Sequence, residues 1–258
     1  MQTQHAEAGY DLLTTTRHDP ALTRFAWNND RDAQPSPFFL LPYHHERLVE
    51  AAAKHGWNDI TCRYEDFKSA VRAAINDPQM TFRVRILLSH TGSLQVTAVP
   101  MEQSFTDDPF SLSLSKPSIA VQNPLTVLLD KQPVAPSIFT STKTTNRKVY
   151  DDARDRMGIP PLTTPAGRTC DVLLYNSDQM IMETSIFNVA FFRSGQWVTP
   201  AAATGCLLGV ARRWLLEHNR ITEDTAHSLT IGSIVDGEYV LLFNGLQGCR
   251  MGRCTVAQ

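Results

Sequence analysis

The sequence contains no apolar run approaching the ~20 residues of a membrane-spanning helix. Residues 1–9 are polar, so no secretory leader is expected. Basic charge is not in excess: 24 Lys and Arg stand against 26 Asp and Glu, and a net charge of −2 offers no electrostatic footprint for nucleic acid. Cysteine is sparse. Cys62, Cys170, Cys206, Cys249 and Cys254 are odd in number, scattered, and include no Cys-x-x-Cys pair. That argues against a disulfide framework or a zinc site and favours reduced, structural thiols in a cytoplasmic protein.

Several motifs are also missing. There is no Gly-x-Ser-x-Gly elbow, no dinucleotide glycine fingerprint, and no Gly-Lys-Ser/Thr ending on the glycine-flanked segment 205–209. His44 and His45 are adjacent at what reads as the end of a strand, where neighbours face opposite ways. No further ligand spacing completes a site around them, so no metal is expected. Internal repeats and low-complexity tracts are absent.

What is present is enough apolar residue, 42% of 258, to bury a sizeable core. Residues 10–17 read as a strand and residues 37–43 as its hairpin partner, joined by a polar, proline-containing loop. Helices are expected over 46–55 and 64–76, the second closed by Asp77 and Pro78. Residues 81–89 and 93–99 alternate as two strands around a Gly92 turn. Residues 119–129 read as another strand. Pro133 and Pro136 mark residues 131–136 as a linker, giving a first domain over 1–130 and a second over 137–258. In the second, residues 137–139 read as strand-like and a helix runs to about residue 157. Strands follow over 171–175, 180–184, 188–193 and 196–199, then a helix from about 208 to 218, a short helix near 223–228, and a last strand over 239–244. The pattern is an α/β (α+β) fold.

Three residues stand in phrases that give them chemical work. Lys143 lies in Thr-Lys-Thr-Thr-Asn-Arg (142–147), Glu183 in Met-Glu-Thr-Ser-Ile-Phe-Asn-Val (182–189), and Arg47 in His-His-Glu-Arg-Leu (44–48). Each has an ordinary reading. Most lysines are solvated, a carboxylate ending an apolar strand is often an edge charge, and an arginine opening a helix is usually exposed. Together, however, an amine, a carboxylate and a guanidinium are what a pyridoxal phosphate (PLP) site needs. The amine forms a Schiff base, the carboxylate keeps a pyridine nitrogen protonated, and the guanidinium grips phosphate. Segment 205–211 leads glycine-flanked into a helix, whose first N–H groups favour an anion.

The ordered phrases, from Asp-Leu-Leu-Thr-Thr-Thr-Arg (11–17) to Asn-Gly-Leu-Gln-Gly (244–248), resemble the class IV aminotransferase family, the fold-type IV PLP enzymes. The resemblance spans nearly the whole chain. It implies two α/β domains with the cofactor in the cleft between them, a small-molecule substrate, and a homodimer. Residue by residue it implies Lys143 as the Schiff-base lysine, Arg47 on the phosphate, Glu183 on the pyridine nitrogen, and Val210, Ala211 and Gly245 among the cofactor-binding positions.

Within the family, Lys-Thr-Thr-Asn-Arg (143–147) and Phe-Asn-Gly-Leu (243–246) are similar to the lyase branch. That branch converts 4-amino-4-deoxychorismate to 4-aminobenzoate and pyruvate, a step towards folate. The same resemblance implies a proton-transfer role for Thr15 and makes Arg17, Arg83, Arg85 and Arg147 the candidates for the substrate carboxylates, with Arg17 and Arg147 foremost. Two departures stand out: Ala211 and Gly245 replace residues that often carry hydroxyls in the family. A transaminase acting on branched-chain or D-amino acids and a non-catalytic family member remain the alternatives.

Overall fold

The computed structural model describes residues 9–117 and 123–256. These form two compact units, Met1–Asp108 with Thr142–Asn146, and Pro109–Ser141 with Arg147–Gln258.

In the first unit β1 (Leu12–His18) is followed by α1 (Leu41–Lys54), α2 (Tyr64–Ala73), β2 (Phe82–Leu88) and β3 (Leu94–Pro100). The strands form an antiparallel sheet in the order β1-β2-β3. Period-two alternation makes β2 one-sided: Phe82, Val84, Ile86 and Leu88 are buried, while Arg83 and Arg85 are exposed. The buried set packs with Leu48 and Ala51 of α1 and Phe67 and Val71 of α2. Helical spacing on α1 and α2 supplies that apolar stripe.

Residues 37–43 do not form the expected hairpin partner of β1; β2 takes that place. The segment meets only the end of β1, through one bridge between His18 and Phe38. Leu40 then turns into the left-handed region (φ 53°), and α1 begins with Pro42 in its first turn. Proline is tolerated there because the first N–H groups of a helix have no intrahelical partner. His44 and His45 are therefore helical and buried, not strand residues.

The second unit contains β4 (Leu125–Leu129), α3 (Ile138–Ser141), α4 (Lys148–Arg156), β5 (Cys170–Tyr175), β6 (Ile181–Thr184), β7 (Asn188–Arg193) and β8 (Gln196–Thr199). It continues with α5 (Val210–Glu217), β9 (Thr222–Glu223), β10 (Tyr239–Asn244) and β11 (Gly248–Thr255). The eight strands run in the order β6-β5-β4-β11-β10-β7-β8-β9. β4 is parallel to both β5 and β11, and β8 to β9; the other neighbours are antiparallel. β5 is buried on both faces. Leu173 and Tyr175 join one apolar cluster, while Val172 and Leu174 join another with Tyr150 and Ala153 of α4. Cys206 and Cys254 are buried, and burial pushes their thiols up to about 11 and about 12, so they stay protonated.

Four expectations need revision. Residues 131–136 lie within the second unit: Asp130 and Val134 donate backbone bonds to Leu173 and Tyr175 at 3.0 and 2.8 Å, so the segment runs on along β5. Residues 137–139 enter a short helix, because Ser137 caps it by accepting the Phe139 N–H on its hydroxyl. No helix forms over 223–228; the Asp224 carboxylate instead binds the Ser228 hydroxyl and the Leu229 N–H. Finally, β11 follows β10. Its glycines hid it, yet Gly252 is required: a Cβ there would stand 2.8–3.0 Å from Leu242, Val127 and Val240. The strand expected over 119–129 is present as β4, and residues 119–122 lie outside the described residues. Among the described residues no helix is long and apolar enough to cross a membrane.

Candidate active site

The predicted site residues divide between the two units: Thr15, Arg17, Arg47 and Lys143 lie in the first, and Arg147, Glu183, Val210, Ala211 and Gly245 in the second.

In the first unit, β1 pairs with β2 along one edge and takes Thr142–Asn146 along the other. The Leu13 N–H donates to the Lys143 carbonyl and the Thr145 N–H to the Asp11 carbonyl, both at 2.9 Å, with Leu12 opposite Thr144. Antiparallel partners share a face. Lys143 therefore lies on the face of Leu13, which by alternation is also that of Thr15, away from the core occupied by Leu12. The structure brings Lys143 and Thr15 to one side of one strand.

Arg47 stands on α1 and donates to the Thr14 hydroxyl, which also bonds His44 Nδ1 at 2.6 Å. Its Nε is buried without a hydrogen-bond partner. Burial lowers this guanidinium to about 10, far below its ordinary value. Such a group is short of an anion. Arg17 differs. It is buried, its Nε donates to Asp19 Oδ2 at 2.9 Å, a second nitrogen donates to the Gln103 carbonyl, and its guanidinium lies 4.1 Å over the Phe105 ring. Arg83 and Arg85 are exposed.

In the second unit, Glu183 is the next-to-last residue of β6 and is 3% exposed. Its Oε1 accepts the Tyr150 hydroxyl at 2.8 Å and the Leu207 N–H at 3.0 Å; Oε2 accepts Asn188 Nδ2 at 3.3 Å. Burial, and then the negative charge of Glu183, raises the Tyr150 hydroxyl well above its usual range, so Tyr150 remains a donor. Asn188 also donates to the Leu207 carbonyl at 2.8 Å. Gly209 lies so close that a Cβ would stand 2.1 Å from Asn188 Oδ1, so only glycine lets the chain pass here into α5. Gly209 caps α5 without a side-chain bond, and Val210 and Ala211 are buried in the first turn, where N–H groups have no intrahelical partners.

Arg147 donates to the Ser185 carbonyl at 3.1 Å and lies 5.2 Å over the Tyr150 ring. Gly245 sits in the β10–β11 turn, whose Asn244 accepts the Leu246 and Gln247 N–H groups and donates to the Ile186 carbonyl at 3.2 Å. That last bond ties the turn to the loop just after Glu183.

Sequence reasoning missed Tyr150, Asn188, Thr14 and Thr142. Tyr150 had one usable signal, since it falls at helical spacing from Arg147. Asn188 was in view inside the Glu183 phrase, but its role needs the β6–β7 turn.

A family model described as amino-transferase class IV matches residues 27–253. A Schizosaccharomyces pombe protein provisionally assigned as an aminodeoxychorismate lyase is 36% identical over 210 residues, 81% of each chain. The aminodeoxychorismate lyase of Saccharomyces cerevisiae is 34% identical over 221 residues, 76% of this chain and 58% of that one. Among solved structures, a Mesorhizobium loti protein provisionally assigned as an amino-acid aminotransferase superposes with a TM-score of 0.65 at 22% identity, covering 96% of this chain and 100% of that one. A buried carboxylate braced by three donors, an arginine short of an anion and a strand-held lysine thus occur in a chain matched almost end to end, and this chain belongs to the class IV aminotransferase family.

Proposed function

We propose that this chain is a PLP-dependent lyase that converts 4-amino-4-deoxychorismate to 4-aminobenzoate and pyruvate. The observation that carries the reading is Arg47, a buried guanidinium whose Nε has no hydrogen-bond partner and whose pKa burial pulls down. A phosphate ester answers that need with charge and with paired acceptors. The uncapped first turn of α5 offers further donors of the same kind. The residues present therefore fit PLP. Two relatives bearing the lyase name over most of this chain support the choice of reaction.

PLP, when bound, supplies an electron sink for the pair released as a C–H bond beside the substrate amine breaks. Lys143 would hold PLP through its amine, and the same amine, when free, would take the proton from the amine-bearing carbon. Glu183 keeps the pyridine nitrogen protonated, its carboxylate held by Tyr150, Asn188 and the Leu207 N–H. Arg47 binds the phosphate, a role the family resemblance also gives to the N–H groups of Val210 and Ala211. Gly245 contributes backbone only, since it has no hydroxyl. Thr15, on the Lys143 side of β1, delivers the proton to the methylene of the enolpyruvyl group as the ether C–O bond to the ring breaks, so that the group leaves as pyruvate and the ring becomes aromatic. Arg147, whose own carboxylate partner Asp151 is exposed and 3.7 Å away, receives a substrate carboxylate, whereas the buried Arg17 is held by the buried Asp19 at 2.9 Å.

Loading the protein with PLP and supplying 4-amino-4-deoxychorismate, or separately branched-chain and D-amino acids, tests the reading. A lyase releases 4-aminobenzoate and pyruvate in equal amounts and keeps its cofactor as PLP. Conversion of the cofactor to pyridoxamine phosphate by amino donors, with no 4-aminobenzoate formed, would make the chain a transaminase instead.

A further inference from the structure

The lysine-bearing segment Thr142–Asn146 belongs to the first unit although the residues on either side of it belong to the second. A five-residue excursion of this kind has few places at which to be fastened. Two fastenings are main-chain bonds to β1. A third is the Thr145 hydroxyl, which accepts the Asp11 N–H at 3.0 Å. A fourth comes from α1. His55, the C-cap residue of that helix, places Nε2 at 2.8 Å from the Thr142 hydroxyl and Nδ1 at 2.7 Å from the Tyr10 hydroxyl.

The surroundings specify this contact. Thr142 is 4% exposed. The Tyr10 ring stacks on Trp57 at 5.8 Å, and the His55 ring leans on the same indole at 5.8 Å. The imidazole is thus wedged between two hydroxyls and an aromatic wall. A neutral imidazole donates from one nitrogen and accepts at the other, and two hydroxyls satisfy either tautomer. Burial lowers the His55 pKa and so favours that neutral form. His44 and Arg47 occur on the same helix, and both engage Thr14. The 11-residue interval from His44 to His55 is close to three helical turns, which returns both to one side of α1. Thr14 and Thr142 are each one residue from the Leu13–Lys143 backbone bond. α1 therefore holds both strands of that pairing by hydroxyls beside the lysine.

We propose that His55 is a positioning residue for Lys143, acting through the Thr142 hydroxyl. The proposal rests on the reading of Lys143 as the cofactor's anchor. Fixing Thr142 fixes the Cα from which the lysine stem departs, and so the direction in which its amine reaches.

Three variants test it: T142V, which removes the hydroxyl at constant shape; T142S, which keeps it; and H55F, which keeps the ring against Trp57 but removes both hydrogen bonds. The first measurement is amide hydrogen exchange of Leu13 and Thr145 in protein stripped of cofactor. The second is the pH midpoint of the visible absorption of PLP-loaded protein, with kcat alongside. T142V and H55F should speed exchange and lower kcat by about 5- to 10-fold, the loss expected for one buried hydrogen bond, and shift the midpoint. T142S should restore all three. Wild-type exchange, midpoint and kcat in T142V, or a T142S that behaves like T142V, would overturn the proposal. T142V is nearly isosteric and keeps the test available if H55F does not fold. Borohydride reduction of the loaded wild-type protein separates the two claims: PLP fixed elsewhere than Lys143 defeats the anchor reading itself, whereas PLP on Lys143 with unaltered variants defeats only the role of His55.

Discussion

The Tyr150 hydroxyl donates a 2.8 Å hydrogen bond to Glu183 Oε1, the oxygen that also accepts the Leu207 N–H. The carboxylate is thus held by one helix and one turn before any ligand arrives. A bond to a charged acceptor is worth about 1.5–3 kcal/mol. Y150F should therefore lower kcat by roughly 10- to 100-fold while changing Tm by only a few degrees. Steady-state kinetics with a thermal melt checks this, and a variant with wild-type kcat would show that Glu183 does not need the hydroxyl.

Arg47 leads to a prediction about ligand-linked stability. Its pKa falls from the ordinary guanidinium range to about 10 because burial disfavours the charged form. The unfolded chain binds this proton more tightly, so the cost to folding is fully present below about pH 10 and disappears as pH rises towards the ordinary guanidinium range. At neutral pH it is on the order of 3 kcal/mol. An anion on Arg47 offsets it. Inorganic phosphate or PLP should raise the Tm of cofactor-free wild-type protein. R47M should melt no lower than wild type without ligand and should lose the phosphate response. An equal phosphate-induced rise in both proteins would place the anion elsewhere.

Asp30 gives the acid limit of the first unit. Burial would raise its pKa, but the Lys68 ammonium at 2.6 Å, the Tyr64 hydroxyl and the Arg31 N–H outweigh burial, and the carboxyl titrates below its usual 3.8. Its stabilisation is present above the unfolded value of about 4 and is lost as pH falls through the depressed folded value. D30N should melt well below wild type at pH 7, by about 3 kcal/mol, because Lys68 loses its closest partner. It should also lack this acid-dependent loss below pH ~4. Tm measured from pH 7 to 3 decides it; parallel curves for the two proteins would remove Asp30 from the acid transition.

The candidate site residues stood out in the sequence before the architecture did. Lys143, Glu183 and Arg47 sit in local phrases, and local phrases survive without knowledge of the fold. Alternation exposed β2 and β3, because one face of that sheet is buried and the other is not. The same rule misread residues 37–43, where an aromatic, apolar run mimics a strand but Pro42 opens a helix. β11 was hidden for the opposite reason: its glycines and arginines look like a loop, yet close packing demands the glycine at position 252. The bracing of Glu183 was legible only as scattered residues. Tyr150, Asn188 and Leu207 come from a helix, a strand and a loop, and only tertiary structure brings them to one carboxylate.

The central claim concerns one amine. Native protein and K143A, each supplied with PLP and enzymatically generated 4-amino-4-deoxychorismate, should differ completely in product. The native protein should release 4-aminobenzoate and pyruvate in equal amounts, and K143A should release neither above the uncatalysed rate. Equal release from both proteins would contradict the account.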